Sequence, residues 1–80
     1  MDIQENLKII VADKLGCSKD QVDALTDLEK DLGADSLDAV EICMEVEKDF
    51  GIFVPDEDLA KFNGNFGDIV DYVTAAVAQK

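Results

Sequence analysis

Eighty residues carrying a net charge of −12, from nineteen acids against seven lysines, leave little room for several classes of function. Acidity of that size repels phosphates and sets nucleic acid aside as a partner. The chain has no histidine, so it lacks the usual general base, the usual zinc ligand and any Ser-His or Cys-His pair.

The length allows one domain, residues 1–80, which buries only about 60% of its unfolded surface. Hydrophobic residues make up 48% of the chain, enough for a core. No apolar run is long enough to cross a bilayer, so no stable membrane insertion is expected. The opening "MDIQENLKII" lacks the basic and apolar blocks of a signal peptide. These features predict a soluble monomer, cytoplasmic or in an organelle matrix after processing. Cys17 and Cys43 have no CxxC spacing and are expected to be small apolar fillers.

Along the chain, Ile3, Leu7, Ile10, Val11 and Leu15 recur at helical spacing, which predicts a first helix from Asp2 to Leu15 with Gly16 as its stop. A long connection follows, roughly Gly16 to Asp35. Within it "SKDQV" predicts a capped turn opening at Ser18 with Gln21 as the reciprocal cap. Val22, Leu25, Leu28 and Leu32 are expected to pin this connection across the helices. A second helix is expected from Ser36 to Phe50, stopped by Gly51. "IFVP" is a short extended link, because Pro55 pushes Val54 out of the helical region. "PDEDLAKF" then predicts a short helix of about two turns, and "NGN" breaks it. Asn65 caps a last helix whose apolar face is Phe66, Ile69, Val70, Val73 and Val77. No alternating strand pattern appears. The expected fold is all-α: a small four-helix bundle of three main helices and one short one, with a long first loop.

The helix from Ser36 carries two apolar stripes. At about 100° per residue, Ala39, Ile42, Cys43, Val46 and Phe50 share one face, the natural core face. Leu37, Val40 and Met44 lie on another, with Glu41 and Glu47 beside them and Asp38 and Glu45 beyond. Either the helix packs on both sides, or the second stripe is a docking strip fenced by carboxylates. Methionine suits such a strip because it adapts to several partners.

Ser36 stands between Asp35 and Leu37 at the start of this helix. Flanking carboxylates without a histidine make a poor catalytic triad. The hydroxyl could serve as the helix N-cap. Equally, a helix start presents unpaired N–H groups and tolerates a phosphate ester, so Ser36 could accept a phosphoryl-linked group from an enzyme that supplies base and metal. The chain itself is not expected to be an enzyme.

The stretch "DLGADSLDAVEICMEVEKDFGIFVPDEDL", from Asp31 to Leu59, closely resembles the acyl carrier proteins of dissociated fatty acid synthase systems. Its core Asp35-Ser36-Leu37 is specific in the frame L-G-x-D-S-L-x-x-V-E followed by F-G-I-x-V-P-D-E. The resemblance implies that Ser36 carries a covalent 4′-phosphopantetheine arm whose thiol holds acyl chains as thioesters. It implies chains sheltered between the helices, and partner enzymes that read the helix beginning at Ser36. These partners are a phosphopantetheinyl transferase and acyl-processing enzymes with basic docking patches. Asp35, Leu37, Asp38, Val40, Glu41, Met44 and Glu47 would form the surface they meet. The chain departs from the family pattern at Cys43, Glu45, Lys48 and Phe53, and in "FNGNFG" (62–67), which is one residue longer than usual. These positions bear on pocket shape and on the partner set.

Other readings compete with this one. A dedicated carrier for a specialised lipid, polyketide or aminoacyl pathway is the nearest. More distant is a calcium-binding module: acids from Asp27 to Asp38 occupy places one, three, five, nine and twelve of an EF-hand frame. However, Leu32 holds the sixth place, where glycine is needed, and the twelfth is aspartate. An acidic interaction domain that is never modified is the last.

Overall fold

Helix boundaries fall where the sequence places side-chain oxygens and glycines. The computed structural model describes residues 2–79. Asp2 caps α1 (Ile3–Leu15) by accepting the Glu5 N–H, and Gly16 ends the helix at φ 70°, where only glycine is unstrained. The further helices are α2 (Leu28–Leu32), α3 (Ser36–Phe50) and α4 (Phe66–Ala78), with 3₁₀ segments at Lys19–Gln21 and Asp56–Asn63. No strand forms among the described residues, where one isolated antiparallel bridge pairs Asp27 with Asn65. The fold is the all-α, small helical bundle that the periodicity predicts.

The core is built from one stripe per helix. Leu7 and Val11 of α1, Ile42 and Val46 of α3, and Phe66, Ile69 and Val73 of α4 are all fully buried. Phe62 adds the apolar side of the second 3₁₀ segment. Val70 and Val77, expected on the core face of α4, are half-buried against its edge.

The first connection departs from expectation. It is not one open loop, because α2 forms inside it: Asp27 accepts the Lys30 N–H at 2.8 Å and Gly33 closes the helix in the left-handed region. Val22 and Leu28 pin it to the core as predicted, with Leu32 half-buried, whereas Leu25 is 85% exposed and pins nothing. The remaining anchor is polar. Thr26 is buried, and its hydroxyl accepts the Asp23 N–H at 3.0 Å and lies 3.3 Å from the Gln21 carbonyl. A backbone seam then ties the connection to the start of α4. The Leu28 N–H donates to the Gly64 carbonyl, Phe66 N–H to Thr26, and Gly67 N–H to Ala24. Gly67 lacks a side chain for good reason, since a Cβ there would stand 2.8 Å from the Ala24 carbonyl oxygen.

The short helix after Pro55 is 3₁₀ over eight residues, rather than α-helical. Such runs are uncommon on their own. Tertiary contacts hold this one: Phe62 is in the core, the Tyr72 hydroxyl donates to the Asp58 carboxylate at 2.7 Å, and the Phe62 and Tyr72 rings meet edge-on at 5.7 Å.

Candidate functional site

Asp35, and not Ser36, is the N-cap of α3. Asp35 holds an extended backbone, the geometry a cap needs, while Ser36 is already helical. The Asp35 carboxylate accepts the Asp38 N–H at 2.9 Å, and the Asp38 carboxylate accepts the Asp35 N–H at 3.1 Å. This reciprocal box occupies both flanking acids. Ser36 is left as the first residue of the helix, exposed, with its hydroxyl outside the capping box. Its own N–H and that of Leu37 are among the helix-start donors that an α-helix leaves without internal partners.

Beside Ser36, α3 and the 3₁₀ helix diverge to leave an open cleft of about 470 Å³. Its apolar wall is Ala39 and Val40 on one side and Leu59 and Ala60 on the other; Glu29, Asp56 and Asn63 join Ser36 as its polar lining. The volume lies within the usual range of small-molecule sites, about 300–1,000 Å³. Asn63 Oδ1 is buried without a hydrogen-bond partner.

The predicted stripes of α3 separate cleanly. Ala39, Ile42, Cys43, Val46 and Phe50 are all buried. Leu37 and Met44 are 66% and 62% exposed, with Glu41 exposed beside them. Val40 and Glu47 are less open. At about 100° per residue Val40 falls midway, about 40° from both Ser36 and Met44, and Glu47 lies about 20° from Ser36. Val40 is half-buried in the cleft wall. Glu47 is half-buried and accepts the Val54 N–H at 2.8 Å, closing the link after α3. Glu45 pairs with Lys14 of α1 at 3.8 Å.

Four cleft residues escaped the sequence reading, Glu29, Asp56, Leu59 and Ala60, whereas Asn63 belongs to the 62–67 segment that the resemblance ties to pocket shape. Leu25 escaped it as an exposed apolar residue. The acids from Asp27 to Asp38 are instead built into helix starts. Asp27 caps α2, Asp31 accepts the Asp27 N–H, and Asp35 and Asp38 form the box of α3. No cluster of metal-binding side chains forms among the described residues.

A family profile described as the phosphopantetheine attachment site matches residues 5–73. The chain is also similar to the acyl carrier protein of Enterococcus faecalis, with a TM-score of 0.77 and 30% identity over 92% of each chain. The residues present fit a phosphopantetheine group. A serine exposed at a helix start stands beside an apolar-walled cleft, and Asn63, whose Oδ1 is buried without a partner, is part of the cleft lining.

Proposed function

Since the chain belongs to the phosphopantetheine attachment-site family and is an acyl carrier protein, we propose that Ser36 is the residue that takes the 4′-phosphopantetheine arm. One observation carries this reading: the Ser36 hydroxyl stands exposed at the first position of α3, outside the Asp35–Asp38 box and at the edge of the cleft. When bound, the group supplies a thiol on which acyl chains are held as thioesters. The chain's own residues do the rest. Asp35 and Asp38 fix the backbone at the helix start, so that the Ser36 oxygen is presented in one place. The Ser36 and Leu37 N–H groups, at the positive end of the helix dipole, favour a phosphodiester there. Ala39, Val40, Leu59 and Ala60 offer an apolar chain shelter from water. The family is one of carriers and not of catalysts, so docked enzymes bring the bases and metals.

Leu37, Met44 and Glu41 are the docking face in this reading, and they suit partners with basic residues around a small apolar patch. We assign the carrier to fatty acid synthesis, supported by the apolar cleft wall and by the likeness to the frame from Asp31 to Leu59. A specialised carrier is the second reading. What favours it is the polar Asn63, in a segment that departs from the family pattern, placed in the cleft. Identifying the acyl groups on carrier isolated from its native host separates the two. Saturated and 3-hydroxy chains of graded length support fatty acid synthesis. A single unusual cargo contradicts it.

A further inference from the structure

We propose that Asn63 is a positioning residue for the prosthetic arm, its side-chain carboxamide hydrogen-bonding an amide of 4′-phosphopantetheine when the arm lies in the cleft. The inference rests on the reading of Ser36 given above. Its starting point is an unmet hydrogen bond: Asn63 Oδ1 is buried and has no partner. Folded proteins leave few such atoms, because a buried carbonyl oxygen without a donor destabilises the fold. Leucine or threonine would fit a cleft wall without leaving that deficit. An asparagine held there points to a ligand that brings its own N–H.

The lining of the cleft narrows the choice of ligand. Ala39, Val40, Leu59 and Ala60 cannot hydrogen-bond through their side chains, and ionised Glu29 and Asp56 only accept. Asn63 is the one carboxamide in this lining, able to donate and accept at once without charge, which is the pairing a secondary amide requires. A saturated acyl chain has no N–H to offer, whereas the arm carries amides whatever its cargo. The backbone around Asn63 is also fixed. Asn63 ends the 3₁₀ helix, the Gly64 N–H donates to the Lys61 carbonyl, and the Gly64 carbonyl accepts the Leu28 N–H at 2.9 Å. Oδ1 is turned inward, so it meets the arm by rotation about the side-chain bonds or by slight parting of α3 from the 3₁₀ helix.

The test uses the full chain in its apo form, after transfer of an unacylated arm, and after transfer of an octanoyl-bearing arm, each verified by intact mass. The arm is isotopically labelled so that its amide protons are visible by NMR. The expected result is that the Asn63 side-chain amide signals move on arm attachment, and that one arm amide exchanges with solvent several-fold more slowly than in free pantetheine. Asn63→Leu and Asn63→Ala, each checked for native helicity, should return that exchange to the free rate. Unmoved Asn63 signals in the modified protein, or equal protection in the variants, overturn the inference while the Ser36 reading stands. Signals that move only with the octanoyl-bearing arm, and not with the unacylated arm, tie the change to the cargo and likewise overturn it. If no arm is gained at all, the Ser36 reading falls and this inference falls with it.

Discussion

At Cys43, burial raises the thiol from an ordinary 9.0 to about 11, with Glu47 and Asp56 adding to the shift. Tyr72 moves the same way, from 10.0 to about 12, through burial first and then its hydrogen bond to Asp58. Both groups keep their protons more tightly when folded than when unfolded. Their contribution to stability is therefore complete below about pH 9 and lost as pH rises through about 11 and 12. Thermal melts between pH 8 and pH 11 should show this decline, and it should be shallower in Cys43→Ala. In the native protein Cys43 should alkylate far more slowly than in denaturant; equal rates would put it outside the core. The core face of α3 was legible because a helical period sorts buried from exposed positions. The roles of Val40 and Glu47 were not, because periodicity gives an angle and not the neighbour that fills it. Their neighbours come from the link and 3₁₀ helix after α3. The two glutamates should thus behave differently. Glu41→Lys should lower the association rate with the modifying enzyme by about tenfold at low salt, an effect that shrinks as salt rises. Glu47→Lys should instead cost roughly 1–3 kcal/mol of stability by removing the acceptor of the Val54 N–H. Stopped-flow binding and urea melts of the two variants check this; equal effects of both on docking alone would contradict it.

Among the elements, α1, α3 and α4 were readable from periodicity, capping residues and terminal glycines. The five-residue α2 was not, because too few residues repeat to give a period and the leucines beside it fit an irregular loop equally well. Its signal was the cap pattern, Asp27 before Leu28 and Gly33 after Leu32. The 3₁₀ geometry of Asp56–Asn63 was hidden for another reason: it depends on Phe62 and Tyr72 meeting across the fold, a contact that local sequence does not encode. The seam between the first connection and α4 can be tested at Gly67. A Cβ there would press on the Ala24 carbonyl at 2.8 Å, so Gly67→Ala should cost about 1–3 kcal/mol in denaturant unfolding. A neutral result would mean that the seam gives way freely. Tyr72→Phe keeps the ring and loses the bond to Asp58, and should destabilise by roughly 1 kcal/mol while quickening amide exchange in the 3₁₀ helix.

For the whole molecule, mutual repulsion among the acids acts on stability in a way that no single contact reveals. The chain extends 31 × 26 × 19 Å and carries a net charge of −12. At 0.01 M salt the Debye length is about 30 Å, so nearly every acid feels every other; at 0.1 M it is about 10 Å. The ion pairs seen among the described residues, Lys14–Glu45, Lys19–Glu5 and Lys61–Asp58, are all at least partly exposed and offset little of this repulsion. Raising salt across that range should lift the melting temperature by about 5 °C, which corresponds to roughly 1 kcal/mol for a domain of this size. A salt-independent melt would show that repulsion is not limiting. The central claim, that this acidic bundle exists to present Ser36, has a direct test in intact mass spectrometry. Unmodified chain is incubated with a phosphopantetheinyl transferase and coenzyme A, alongside Ser36→Ala shown by circular dichroism to be folded. The chain should gain the mass of one phosphopantetheine, mapped to the peptide containing Ser36, and Ser36→Ala should gain none. A folded Ser36→Ala protein that still takes the arm, or an arm mapped to Ser18, would contradict the claim.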